Sequence, residues 1–100
     1  MQKTERIQYY ESVLDKILAA NRALEEALEQ YAATQPLVRE LNAYYGSREW
    51  RNDLAEDEAG LLPSDLKRGV LSEDGAYDAL SDNHTLLVRM LELVADSLRG

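Results

Sequence analysis

Cysteine is absent from these 100 residues, histidine occurs once and proline twice. Without cysteine there is no disulfide framework, no thiolate nucleophile and no cysteine-ligated zinc. One histidine falls short of the three or four nitrogen, sulfur or oxygen ligands that a structural zinc site needs. The five glycines form neither a G-x-G-x-x-G nor a Walker pattern, so no phosphate loop is expected. Long apolar runs are missing too. Nothing approaches the ~18–20 residues that span a bilayer. Lys3, Glu5, Arg6 and Glu11 interrupt the apolar residues from Met1 to Ser12, so no secretory leader is expected there. Positive charge is scarce: 11 Lys and Arg stand against 19 Asp and Glu, a formal net charge of −8. That balance disfavours non-specific binding to nucleic acid or to an anionic membrane, both of which need a basic face. A single cytoplasmic domain is expected, with no membrane association, no direct nucleic-acid binding, no cofactor and no metal.

What the chain does have is 45% hydrophobic residues, enough for a modest core, in a helical rhythm. Ile7, Tyr10, Leu14, Ile17, Asn21, Leu24, Leu28 and Tyr31 follow one another at alternating steps of three and four. Tyr77, Leu80, His84, Leu87, Leu91, Val94 and Leu98 do the same. Such spacing places each set on one narrow helical stripe, as in a coiled-coil seam. Val13, Ala20 and Ala27 widen the first stripe. An all-α fold is predicted, an antiparallel helical hairpin or coiled-coil-like bundle of two long helices with a short helical, loop-rich connector. Residues 1–45 form the first helix, 46–73 the connector and 74–99 the last helix. At Pro36 two readings stay open: a kink, or a fresh helix capped by Thr34.

One antiparallel register sets Tyr10 on Leu98, Ile17 on Leu91 and Tyr31 on Tyr77. It places Asn21 and His84 in adjacent layers, where they are expected as a buried polar pair that fixes register. A period of 3.5 does not distinguish an intramolecular partner from a second copy, so a homodimer is also open.

The connector reads as punctuation. Gly46 ends the first helix, Ser47 caps a short helix from Arg48 to Ala59, and Gly60 closes it. Pro63 to Gly69 reads as one helical turn capped by Ser64, with Lys67 and Arg68 at its negative end. Ser72 caps the last helix, with Glu73 and Asp74 at its positive end.

Three strings here are distinctive: Tyr44-Tyr45-Gly46-Ser47-Arg48-Glu49-Trp50, Asp57-Glu58-Ala59-Gly60-Leu61-Leu62-Pro63, and Leu66-Lys67-Arg68-Gly69-Val70-Leu71-Ser72-Glu73-Asp74-Gly75 followed by Tyr77-Asp78. With them the chain resembles a bacterial family of small helical proteins, the domain of unknown function DUF4298. The resemblance covers most of the chain. It implies an all-α bacterial intracellular protein and brings no activity, substrate or cofactor.

No catalytic constellation is apparent. His84 sits in a seam between Leu80 and Leu87, which suits a core histidine better than a general base. Asp53, Glu56, Asp57 and Glu58 fail the EF-hand spacing around Gly60 and read as a solvated helix face. An enzyme would need Asp53, Asp57, Asp65 and Asp74 to converge with Lys67 or Arg68. The expected function is therefore non-catalytic: a protein-interaction module or regulator. Its partner would meet the connector through Tyr44, Tyr45, Arg48, Trp50, Arg51, Lys67 and Arg68. The alternative is an acidic polyanion mimic that occupies a basic site on a nucleic-acid-binding partner.

Overall fold

The computed structural model describes residues 2–100. Three α-helices carry the chain: α1 (Lys3–Tyr44), α2 (Arg48–Glu58) and α3 (Glu73–Arg99), with one 3-10 turn at Gly69–Leu71 before α3. There is no strand among the described residues, as the absence of period-two alternation predicts. Among the described residues no helix is long and apolar enough to cross a membrane. The chain divides into two compact units, Met1–Gln35 and Pro36–Gly100.

From Lys3 to Gln35 the first unit is helix. α1 buries no residue, and its seam stands half open to solvent: Ile7, Tyr10, Leu14, Ile17, Leu24 and Leu28 are 46–59% exposed.

α1 crosses Pro36 without a break. Proline removes one backbone donor and crowds the carbonyl four residues earlier. Around it, side chains engage the carbonyls of the preceding turn. The Thr34 hydroxyl donates to the Gln30 carbonyl at 2.8 Å, and the Gln35 amide donates to the Tyr31 carbonyl at 3.3 Å. A capping threonine would accept from an amide ahead of it. Thr34 donates backwards, as a residue within a helix does, which rules out the fresh helix.

The second unit holds the small core. Leu71 and Ala76 are buried, with Asn83 the one buried polar residue. Val38, Leu41, Tyr44, Tyr45, Trp50, Leu54, Leu62, Leu80 and Met90 are half-buried. The 3-10 turn is the hub, packing against both α2 and α3.

The punctuation of the connector works largely as its residues suggest. Gly46 and Gly60 take φ of +80° and +74°, the left-handed region that ends helices most cheaply at glycine. At the end of α2 the Gly60 amide donates to the Asp57 carbonyl and the Leu61 amide to the Glu56 carbonyl, both at 3.0 Å. This is the double closure of a Schellman motif. Ser47 and Ser72 cap α2 and α3, accepting from the amides of Trp50 at 3.2 Å and Gly75 at 3.0 Å.

One local expectation is corrected. Pro63 to Gly69 is not a helical turn. Pro63 opens a reverse turn closed by the Leu66 amide on the Pro63 carbonyl at 3.2 Å, and the helical turn falls later, at Gly69–Leu71. Proline at the head of a four-residue segment serves either structure, and the packing of Leu71 places the turn near it.

Candidate functional site

The distinctive strings meet in one cluster. Ser47 starts α2 three residues before Trp50, which fixes the indole at the head of the helix. The Trp50 indole N–H donates to the Val70 carbonyl at 3.0 Å. The Tyr45 ring meets the indole edge-on, centroids 5.1 Å apart at 71°, a favoured aromatic geometry. Trp50 is half-buried, and its one polar atom is satisfied.

Around this centre the charged groups pair. The Tyr44 hydroxyl donates to Asp53 Oδ2 at 2.5 Å, tying the end of α1 to α2. That hydrogen bond comes first among the causes that push the Tyr44 phenol up to about 12; partial burial and the negative charges of Asp53 and Glu49 add to it. Arg68 Nη1 stands 2.6 Å from Asp57 Oδ1, tying the loop before the 3-10 turn back to α2.

Ser72 works twice. Besides capping α3, its hydroxyl donates to the Gly69 carbonyl at 2.7 Å. Gly75 approaches the same carbonyl so closely that a Cβ there would collide with it, and would stand 2.7 Å from Ser72 Oγ. The string from Gly69 to Gly75 thus encodes one tight turn into α3.

Of the residues expected to face a partner, Tyr44, Tyr45, Trp50 and Arg68 all make contacts inside the connector. Arg48, Arg51 and Lys67 are exposed; the Arg51 guanidinium reaches only the Ser47 carbonyl, at 3.4 Å. A shallow open depression of about 480 Å³ is lined by Ala43, Tyr44, Ser47, Arg48 and Glu49. Asp53 and Asp57 make the pairs just described, and Asp65 and Asp74 are exposed. Among the described residues no group of three His, Asp or Glu side chains could hold a metal ion.

Asn21 lies in the first unit and His84 in the second. Asn21 and His84 are each exposed. A seam position is buried only where another surface covers it, and neighbouring seam residues such as Leu24 and Leu87 are exposed as well. The buried polar residue of α3 is instead Asn83, one position before His84 and on the same side of the helix as Ala76, Leu80 and Met90.

The seams themselves are the larger unassigned surface. On α3, Leu87, Leu91, Val94 and Leu98 are 43–83% exposed, and Leu86, Val88 and Leu93 beside them are exposed too. Counting only the 3–4 steps misses these flanking residues. The apolar run from Leu86 to Val94, broken only by Arg89 and Glu92, was the available signal.

No curated protein and no solved structure matches the chain. Residues 7–93 match the model of a domain of unknown function, DUF4298. The match takes in the first seam, the whole connector and α3 as far as Leu93, and the chain belongs to that family.

Proposed function

We propose that this chain is a non-catalytic protein-interaction module whose binding surface is its exposed helical seams, with the connector serving as the folded core that holds α2 and α3. One observation carries the reading. Large seam residues of α1 and α3 spaced for helix packing stand exposed, from Leu87 at 43% to Leu98 at 83%. An apolar stripe left open along a helix marks a site of association. The connector supports the division of labour, because its aromatic and charged groups are largely engaged with one another.

The test is the native size of the protein in its own cell extract. The tagged chain at its natural abundance is expected to elute in an assembly larger than one chain, and a variant carrying Leu14→Asp, Leu24→Asp and Leu91→Asp is expected to elute as a monomer. A wild-type chain that elutes as a monomer would sink the reading.

A further inference from the structure

We propose that residues 7–28 of α1 pair with the same segment of a second copy of this chain, antiparallel, about a two-fold axis beside Ala20. The proposal rests on the interaction reading above and names its partner. Three observations carry it.

The first is area. From Ile7 to Leu28 the segment presents six large seam side chains 46–59% exposed, with Leu18 at 53% beside them. Covering that stripe removes on the order of 800 Å² per copy, the contribution of one partner to a stable interface of standard size.

The second is the pattern. A two-fold interface must be complementary to itself. With the axis near residue 19 the layers are Tyr10 on Leu28, Leu14 on Leu24 and Ile17 on Asn21, each occurring twice. The two Asn21 side chains then fall in adjacent layers on either side of the axis. There the amides can bond each other, as buried polar groups require.

The third is the column beside the seam. Val13, Ala20 and Ala27 recur every seven residues. In this register Ala20 meets Ala20 of the second copy and Val13 meets Ala27, small against small, so the two backbones approach closely. On the opposite flank Glu11 comes beside Glu25 of the second copy, with Leu18 facing its own copy between them. Like charges at an exposed rim cost little and are screened by salt. Association therefore strengthens as ionic strength rises, opposite to the behaviour of an acidic seam on a basic partner.

The full chain decides this. Sedimentation equilibrium on the purified protein is expected to give the mass of two chains at micromolar concentration, with tighter association at higher salt. The absence of native cysteine permits single-site probes. Ala20→Cys with a short bis-maleimide is expected to yield a covalent dimer, and Glu26→Cys, on the outer face, is expected not to. Leu14→Asp with Leu24→Asp is expected to weaken association by roughly a hundredfold or more, since the new carboxylates would be buried in the seam. Unchanged Trp50 emission in that variant shows the connector still folded. A monomer at all concentrations overturns the proposal. So does a dimer that the Ala20→Cys variant fails to cross-link, or one that survives the double substitution. A purified monomer that still joins a larger assembly in extract would end this proposal and leave the interaction reading standing.

Discussion

The indole N–H of Trp50 donates to the carbonyl of Val70 at 3.0 Å, across twenty residues of chain. It joins the head of α2 to the 3-10 turn that feeds α3. Trp50→Phe keeps most of the ring and removes this bond, so it should cost about 1 kcal/mol. Trp50→Ala also removes the packing on Tyr45 and should cost about 2–3 kcal/mol, below the value for a fully buried ring because Trp50 is only half-buried. Urea unfolding followed by far-UV circular dichroism measures both. Equal losses for the two variants would show that the ring packing contributes nothing.

Gly75 and Gly69 stand at the two ends of one turn and should respond differently to the same change. A Cβ on Gly75 meets the Gly69 carbonyl and Ser72 Oγ, whereas a Cβ on Gly69 meets nothing within 4 Å. Gly75→Ala should destabilise by about 1–3 kcal/mol, the cost of forcing an added methyl into a packed site. Gly69→Ala should lie near neutral. Chemical denaturation of the pair would refute this account if Gly75→Ala proved as stable as wild type.

Tyr44 should hold its phenolic proton to higher pH than an ordinary tyrosine side chain does. Its phenol is raised from 10.0 to about 12 by the bond to Asp53, by partial burial and by nearby carboxylates. The folded state therefore holds this proton more tightly than the unfolded chain does. The associated stability is fully present below pH 10 and is lost as pH rises through about 12. A spectrophotometric titration of phenolate should show a late group in wild type that Tyr44→Phe removes. A late group that persists in the variant would assign the shift elsewhere.

Arg68 and Asp57 form a partly exposed pair at 2.6 Å, with side-chain exposures of 36% and 23%. Arg68→Ala should cost about 1 kcal/mol, toward the upper end for ion pairs open to solvent. In a double-mutant cycle with Asp57→Ala the coupling should be of similar size and should fall with added salt. A coupling near zero at low salt would mean that the loop before the 3-10 turn is held by packing alone.

Local structure was legible because its causes are local. The steps of three and four specify helices wherever they run, so α1 and α3 follow from side chains on one stripe. Gly46 and Gly60 stop helices because a left-handed residue is cheapest without a Cβ, and Ser47 and Ser72 start them because a hydroxyl can reach an amide three residues on. Continuity through Pro36 was not legible. The cost of one missing hydrogen bond is set against neighbours whose bonds a sequence does not display, and Thr34 could serve as cap or as helical residue. The partners of Trp50, Tyr44 and Arg68 were hidden for a different reason: Val70, Asp53 and Asp57 lie nine to twenty residues away, and only the folded turn selects them from other carbonyls and carboxylates. Burial was the furthest from sight. Periodicity names a stripe without saying what covers it, so Asn21 and His84 are exposed and Asn83 is buried. The residues alone determined which faces of the helices are apolar and where the helices stop. The tertiary structure decided which of those faces are covered, because burial belongs to a pair of surfaces and a sequence specifies them one at a time.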